Sequence, residues 1–151
     1  MAVRVIVHLQ PLAVATNVIQ GSNTRLDHVV LTLAYLYKLF MNPLMEDEVR
    51  VGILKSLDKR WSKNVDHDVF LMALILNPYI RSQAFRPGNP QLVAASLYNM
   101  ADRVYTRVLE SRPDAGFRAA FWNYLEYANE FTVERMQLKQ YEADFQAEVR
   151  V

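Results

Sequence analysis

The chain contains no cysteine. That excludes disulfides, thiol catalysis, Cys-ligated zinc and iron–sulfur clusters, and it fits an intracellular location. Glycine is scarce, with four in the whole chain, and none stands in a phosphate-cradling loop. A Gly-x-Ser-x-Gly elbow and a His-x-x-x-His metal pair are missing too, so nucleotide hydrolysis, serine hydrolysis and zinc chemistry have no signature. An excess of one charge is also lacking: 17 Lys and Arg against 16 Asp and Glu leave a formal net charge of +1. Any polyanion binding must therefore rest on a local patch rather than on the field of the whole chain. Finally, there is no long apolar run. The longest, Val69 to Leu76, is too short to span a bilayer. Val3 to Leu9 is apolar but is interrupted by His8, Gln10 and Pro11 with no clean cleavage site after it, so no secretory signal is expected.

What remains is a chain of 151 residues with 52% hydrophobic content, enough for a real core and too apolar for intrinsic disorder. The pattern predicts an all-α fold: one helical domain over residues 1–151 with six or seven helices, and Arg86-Pro-Gly-Asn-Pro90 as the one internal break. At the N-terminus Val3, Val5, Val7 and Leu9 alternate with Arg4 and His8, which by period alone is a short half-buried strand. Pro11 suits the first position of a helix running to about Gln20. Gly21 to Thr24 is then a turn whose Asn23 or Thr24 caps the next helix. That helix, with Leu26, Val29, Val30, Leu33, Leu36, Leu39 and Phe40 at helical spacing, is apolar nearly all round and should be central; Asn42-Pro43 stops it. His28 beside Asp27 reads as a helix-terminal histidine with a solvated neighbour, because adjacent helical residues do not face each other.

A third helix opens on Glu46, Asp47 and Glu48, which complement its dipole, and buries Val49, Ile53, Leu54 and Leu57. Its outer positions make the most basic stretch of the chain. Arg50, Lys55, Lys59, Arg60, Trp61 and Lys63 combine cations with one aromatic ring, a set that can contact phosphates and stack on a base. The plain alternative is a solvated helix face with Trp61 packed inward. Val69 to Leu76 then forms a buried helix ending at Asn77-Pro78. Asp66, His67 and Asp68 before it suit a helix start, and a metal site there would need ligands from elsewhere. Beyond the break, Gln91 to about Ser111 reads as an amphipathic helix with Arg103, Arg107 and Arg112 interspersed with Asp102 and Glu110. Ala115 to Phe131 reads as an aromatic core helix, and Val133 to Val149 as a last helix that packs or projects toward a partner.

Leu57, Arg60-Trp61, Asp66, Val69-Phe70, Leu76-Asn77-Pro78 and Phe85, in that order, resemble the helical insertion region of hAT-superfamily transposases, the fungal branch most closely. Leu9-Gln10-Pro11-Leu12-Ala13, Thr16 and Gln20, followed by Leu26, Val29, Leu36 and Phe40, resemble the segment that precedes it. The likeness covers about Leu9 to Phe85 well and the rest loosely. In that family the insertion interrupts a ribonuclease-H-like core whose three acids hold two divalent metal ions. By the resemblance this chain begins after the second acid and stops before the third. Glu134-Arg135-Met136 comes too early for the family's last catalytic motif and lacks its Phe-Ser continuation. The zinc-finger module and the base-stacking tryptophan of the family have no counterpart, and neither Trp61 nor Trp122 should inherit that tryptophan's role. The resemblance also favours a helix at the N-terminus over the strand.

Taken together, these features lead us to expect no catalytic, cofactor-binding or metal-binding residues and no cofactor. The leading reading is a noncatalytic remnant of a hAT-like transposase, intracellular and suited to the nucleus, that keeps DNA association through Arg50, Lys55, Lys59, Arg60, Trp61 and Lys63. The alternative is a protein-interaction or self-association module with no DNA role, and neither reading involves a membrane. A metal hydrolase built on Asp66 and His67 ranks far below both. An expressed transposon fragment without a selected function would look the same in sequence.

Overall fold

A computed structural model describes residues 2–64, 67–84, 88 and 93–149. Among these residues there are seven α-helices and no strand. In order they are α1 (Ala2–Gln20), α2 (Leu26–Phe40), α3 (Asp47–Asn64), α4 (His67–Leu76), α5 (Ala94–Leu109), α6 (Ala115–Leu125) and α7 (Leu138–Val149), with short 3-10 turns at Arg81–Ala84 and Asn129–Phe131. No helix is long and apolar enough to cross a membrane among the described residues. The chain divides into two compact units, Met1–Ala73 and Leu74–Val151. The break expected at 86–90 lies outside the described residues except for Gly88, as do Asp66 and Phe85.

The first unit is built on α1, α2 and α3. Ala15 of α1, Leu36 and Phe40 of α2 and Leu57 of α3 are buried together, with Leu12, Leu33, Leu39, Met45, Ile53 and Leu54 packed around them. The short strand that strict alternation suggested at the N-terminus does not form: α1 is helical from Ala2 onward. Ile6 already breaks the alternation, and the inward residues of α1, His8, Pro11, Leu12 and Ala15, are spaced three and four apart, which only a helix can place on one side. Pro11 therefore lies inside α1 rather than at its start. Lacking an N–H, it gives up one rung of the ladder while the helix is held on both sides of it.

The turn between α1 and α2 also departs from expectation. Thr24 does not cap α2. Its hydroxyl donates back to the Val18 carbonyl at 2.5 Å and its N–H to the Gly21 carbonyl at 3.1 Å, so it satisfies the open end of α1 instead. The N-cap position of α2 is Arg25, which makes no side-chain cap. Arg25 forks instead onto Asp27 in the first turn, at 3.0 and 2.5 Å. Asp27, expected to be solvated, is buried, and a bidentate guanidinium offsets part of the cost of desolvating it.

In the second unit Phe117 of α6 lies against Tyr98 and Tyr105 of α5 and against Phe121 in its own helix, with ring centroids 6.0, 4.9 and 6.0 Å away. Asp114 caps α6, accepting the Phe117 N–H at 2.8 Å. The aromatic helix expected to continue to Phe131 stops at Leu125. Tyr127 adopts φ 54°, its N–H reaches the Tyr124 carbonyl, and the Ala128 N–H reaches Asn123 at 2.8 Å. Those are the two bonds of a Schellman ending, here with tyrosine at the left-handed position that glycine normally fills. Gln137 repeats the device at φ 53°, with Leu138 N–H on the Val133 carbonyl at 3.1 Å. Hence α7 starts at Leu138, five residues later than its charge pattern suggested.

Candidate functional site

Each unit carries one arrangement that its fold alone does not require. In the first unit this is α3. Its residues advance about 100° each around the axis, so Lys55, Lys59 and Lys63 share one face, spread over roughly 12 Å of helix length. All three are exposed, and among the described residues none forms an ion pair. Arg60, also exposed, lies about 100° round from Lys59 and widens the patch on one side. The buried stripe through Leu57 points the other way. This follows from the sequence pattern: the helix commits Ile53, Leu54 and Leu57 to the core, and the lysines at spacing four are left outside.

The other two sequence candidates are not on that face. Arg50 is half-buried and donates from Nη2 to Asp47 Oδ1 at 2.8 Å, while its buried Nε has no partner. Trp61 is half-buried and sits about 160° round the helix from Lys59. Its ring stacks on His67, with centroids 5.2 Å apart and planes within 17°, and a ring nitrogen of His67 lies 3.1 Å from the Trp61 carbonyl. A strand that follows the lysines therefore does not meet the indole.

Trp61 instead forms part of an apolar cavity of about 400 Å³ between α2 and α3, lined also by Val30, Leu33, Tyr37 and Leu57, with Lys38 and Asp58 as its charged members. The lining pairs no nucleophile with a base and brings no two carboxylates together. It can bury an apolar group. Among the described residues no three potential metal ligands cluster.

The second arrangement, which the sequence analysis missed entirely, is centred on Arg81. This side chain is fully buried. Its guanidinium lies between the rings of Tyr127 and Tyr124, 3.7 and 4.3 Å from their centroids. It donates to the Tyr124 carbonyl, to the Phe131 carbonyl at 3.0 Å and to the Met136 sulfur at 3.0 Å. Arg81 itself adopts φ 47°. The Tyr124 carbonyl, which also accepts the Tyr127 N–H, and the Phe131 carbonyl thus serve as acceptors for one cation, flanked by two ring faces. Burial pushes the Tyr124 hydroxyl up to about 12, and that hydroxyl donates to the Ile75 carbonyl at 3.0 Å. With no access to solvent, this is a tether rather than a binding site. No local signal distinguishes Arg81 in the sequence, because its partners are 43 to 55 residues away.

Comparison with known proteins adds no further constraint. No family model, curated protein or solved structure matches this chain.

Proposed function

We propose that the chain is a noncatalytic helical module, a remnant of a hAT-like transposase insertion region, that associates with DNA through the lysine face of α3. The observation that carries the reading is the row Lys55, Lys59, Lys63, flanked by Arg60: exposed cations without acidic partners among the described residues, on a chain whose net charge is only +1. Cations so placed bind phosphates without regard to sequence, through release of counterions. The ordered likeness from Leu9 to Phe85 supports the ancestry.

The test is fluorescence polarization of labelled duplex and single-stranded DNA with the purified chain. With three phosphate contacts on a duplex, affinity should fall about 40-fold between 50 and 200 mM salt. The triple variant K55A/K59A/K63A should lose most of the low-salt affinity and flatten the salt slope, whereas W61F should leave both in place. Absence of binding at low salt would sink this reading.

A second reading, a protein-interaction module, is favoured by a different observation. The first unit leaves Val7, Val14 and Val18 of α1 and Leu31 and Tyr35 of α2 exposed. Apolar side chains gathered on one surface in this way mark contact sites more often than single exposed ones do.

A further inference from the structure

We propose that the face shared by α1 and α2 is a self-association surface whose occupant is the same face of a second copy of this chain. The inference rests on the interaction-module reading and names its partner. Val7, Pro11, Val14 and Val18 are spaced four, three and four apart, the spacing of a helix seam that packs against another helix. Val14 and Tyr35 are each more than half exposed, at 54% and 58%. Between the two helices runs a groove of about 210 Å³, lined by Pro11, Val14, Ala15 and Val18 on one side and by Leu31 and Tyr35 on the other. A ridge of valines beside a groove of this kind is the surface on which helices interdigitate.

The charge pattern selects the occupant. From Val5 to Thr24 there is no Asp, Glu, Lys or Arg, and on α2 the pair Leu31 and Tyr35 is bounded by His28 and Lys38, three residues beyond each end. A nucleic acid or an anionic membrane surface needs cations on the contacting face. A charged partner protein needs complementary charges, and the α1 seam offers neither. In a two-fold contact the same patch is presented by both copies, so a patch carrying charge of one sign would set like charges against each other. A seam without formal charge avoids that penalty. Its apolar centre with a polar rim also matches the usual plan of an interface between copies.

The absence of cysteine makes the test direct. Analytical ultracentrifugation of the full chain across a concentration series should show mass rising from 17.5 kDa toward twice that value. Val14→Lys, at an exposed position, should hold the chain at the monomer mass with an unchanged circular dichroism spectrum. Val14→Cys should form a disulfide-linked dimer under mild oxidation, while Leu44→Cys, exposed on another surface, should not. A dimer that persists in Val14→Lys and fails to cross-link through Val14→Cys would overturn this face while leaving an interaction module in place. A monomer at every concentration overturns the second copy. Binding of the dye anilinonaphthalene sulfonate then separates the cases: if Val14→Lys abolishes it, an uncovered interaction face survives, and if the wild-type chain binds none, both readings fail.

Discussion

Arg81 shows how a buried charge is held without a carboxylate. Desolvating a guanidinium costs several kcal/mol unless its donors are met; here two carbonyls and a sulfur accept from Nη1 and Nη2 and two ring faces flank the group, while Nε has no hydrogen-bond partner among the described residues. Replacing Arg81 by Met keeps much of the volume but strands those acceptors, and it should lower stability by about 3 kcal/mol; chemical denaturation of the full chain reads this directly. Tyr124 supplies a pH signature of the same region. Its hydroxyl titrates at about 12 in the folded chain and near 10 when unfolded. Between those values the unfolded state loses a proton that the folded state keeps, so stability is intact below about pH 10 and falls as pH rises toward 12. A drop of about 2 kcal/mol is expected, and Tyr124→Phe should reduce it, a difference that isolates this tyrosine from the other seven.

Among the helices, α3 is the one whose layout was most legible in the sequence. Its acidic start, its inward Ile53, Leu54 and Leu57 and its basic outer positions all follow from one 3.6-residue period. What the period alone left open was the direction of Trp61, which the structure turns toward the cavity and away from the lysines. The outer face of α3 also carries Gly52, where an added Cβ would meet nothing within 4 Å. Gly52→Ala should therefore raise stability by about 0.5–1 kcal/mol, seen as a higher thermal midpoint, by removing backbone entropy from the unfolded chain. Legibility failed where local pattern and distant contacts conflict. The valines of α1 alternate like a strand, yet the burial of Leu12 and Ala15 decides for helix. The aromatic run of α6 reads as continuous, yet Tyr127 turns left-handed, with Arg81 beneath its ring. Asp27 was hidden for a related reason: its burial is accompanied by a fork from Arg25 that no sequence pattern announces.

For the molecule as a whole, the two proposals place different physics on different faces of the first unit. The lysine row acts through charge and weakens with salt. The α1–α2 face acts through apolar burial, which salts such as sulfate strengthen. The two activities should thus respond in opposite directions to sulfate, and Val14→Lys should abolish one while sparing the other. Fold class could be read from composition and periodicity alone. The division near residue 73 could not, because the chain passes through it inside α4, with no proline or glycine to mark it.

The Arg81 tether has a kinetic consequence. The α1–α2 hairpin joins neighbours across a short turn, so its loop closes at little entropic cost. Arg81 must find Tyr124, Phe131 and Met136 across 43 to 55 residues of chain, and search slows as contacts become less local. The hairpin therefore assembles early, and the locking of Arg81 between its two tyrosines is a late event that waits on α6 and the turns after it.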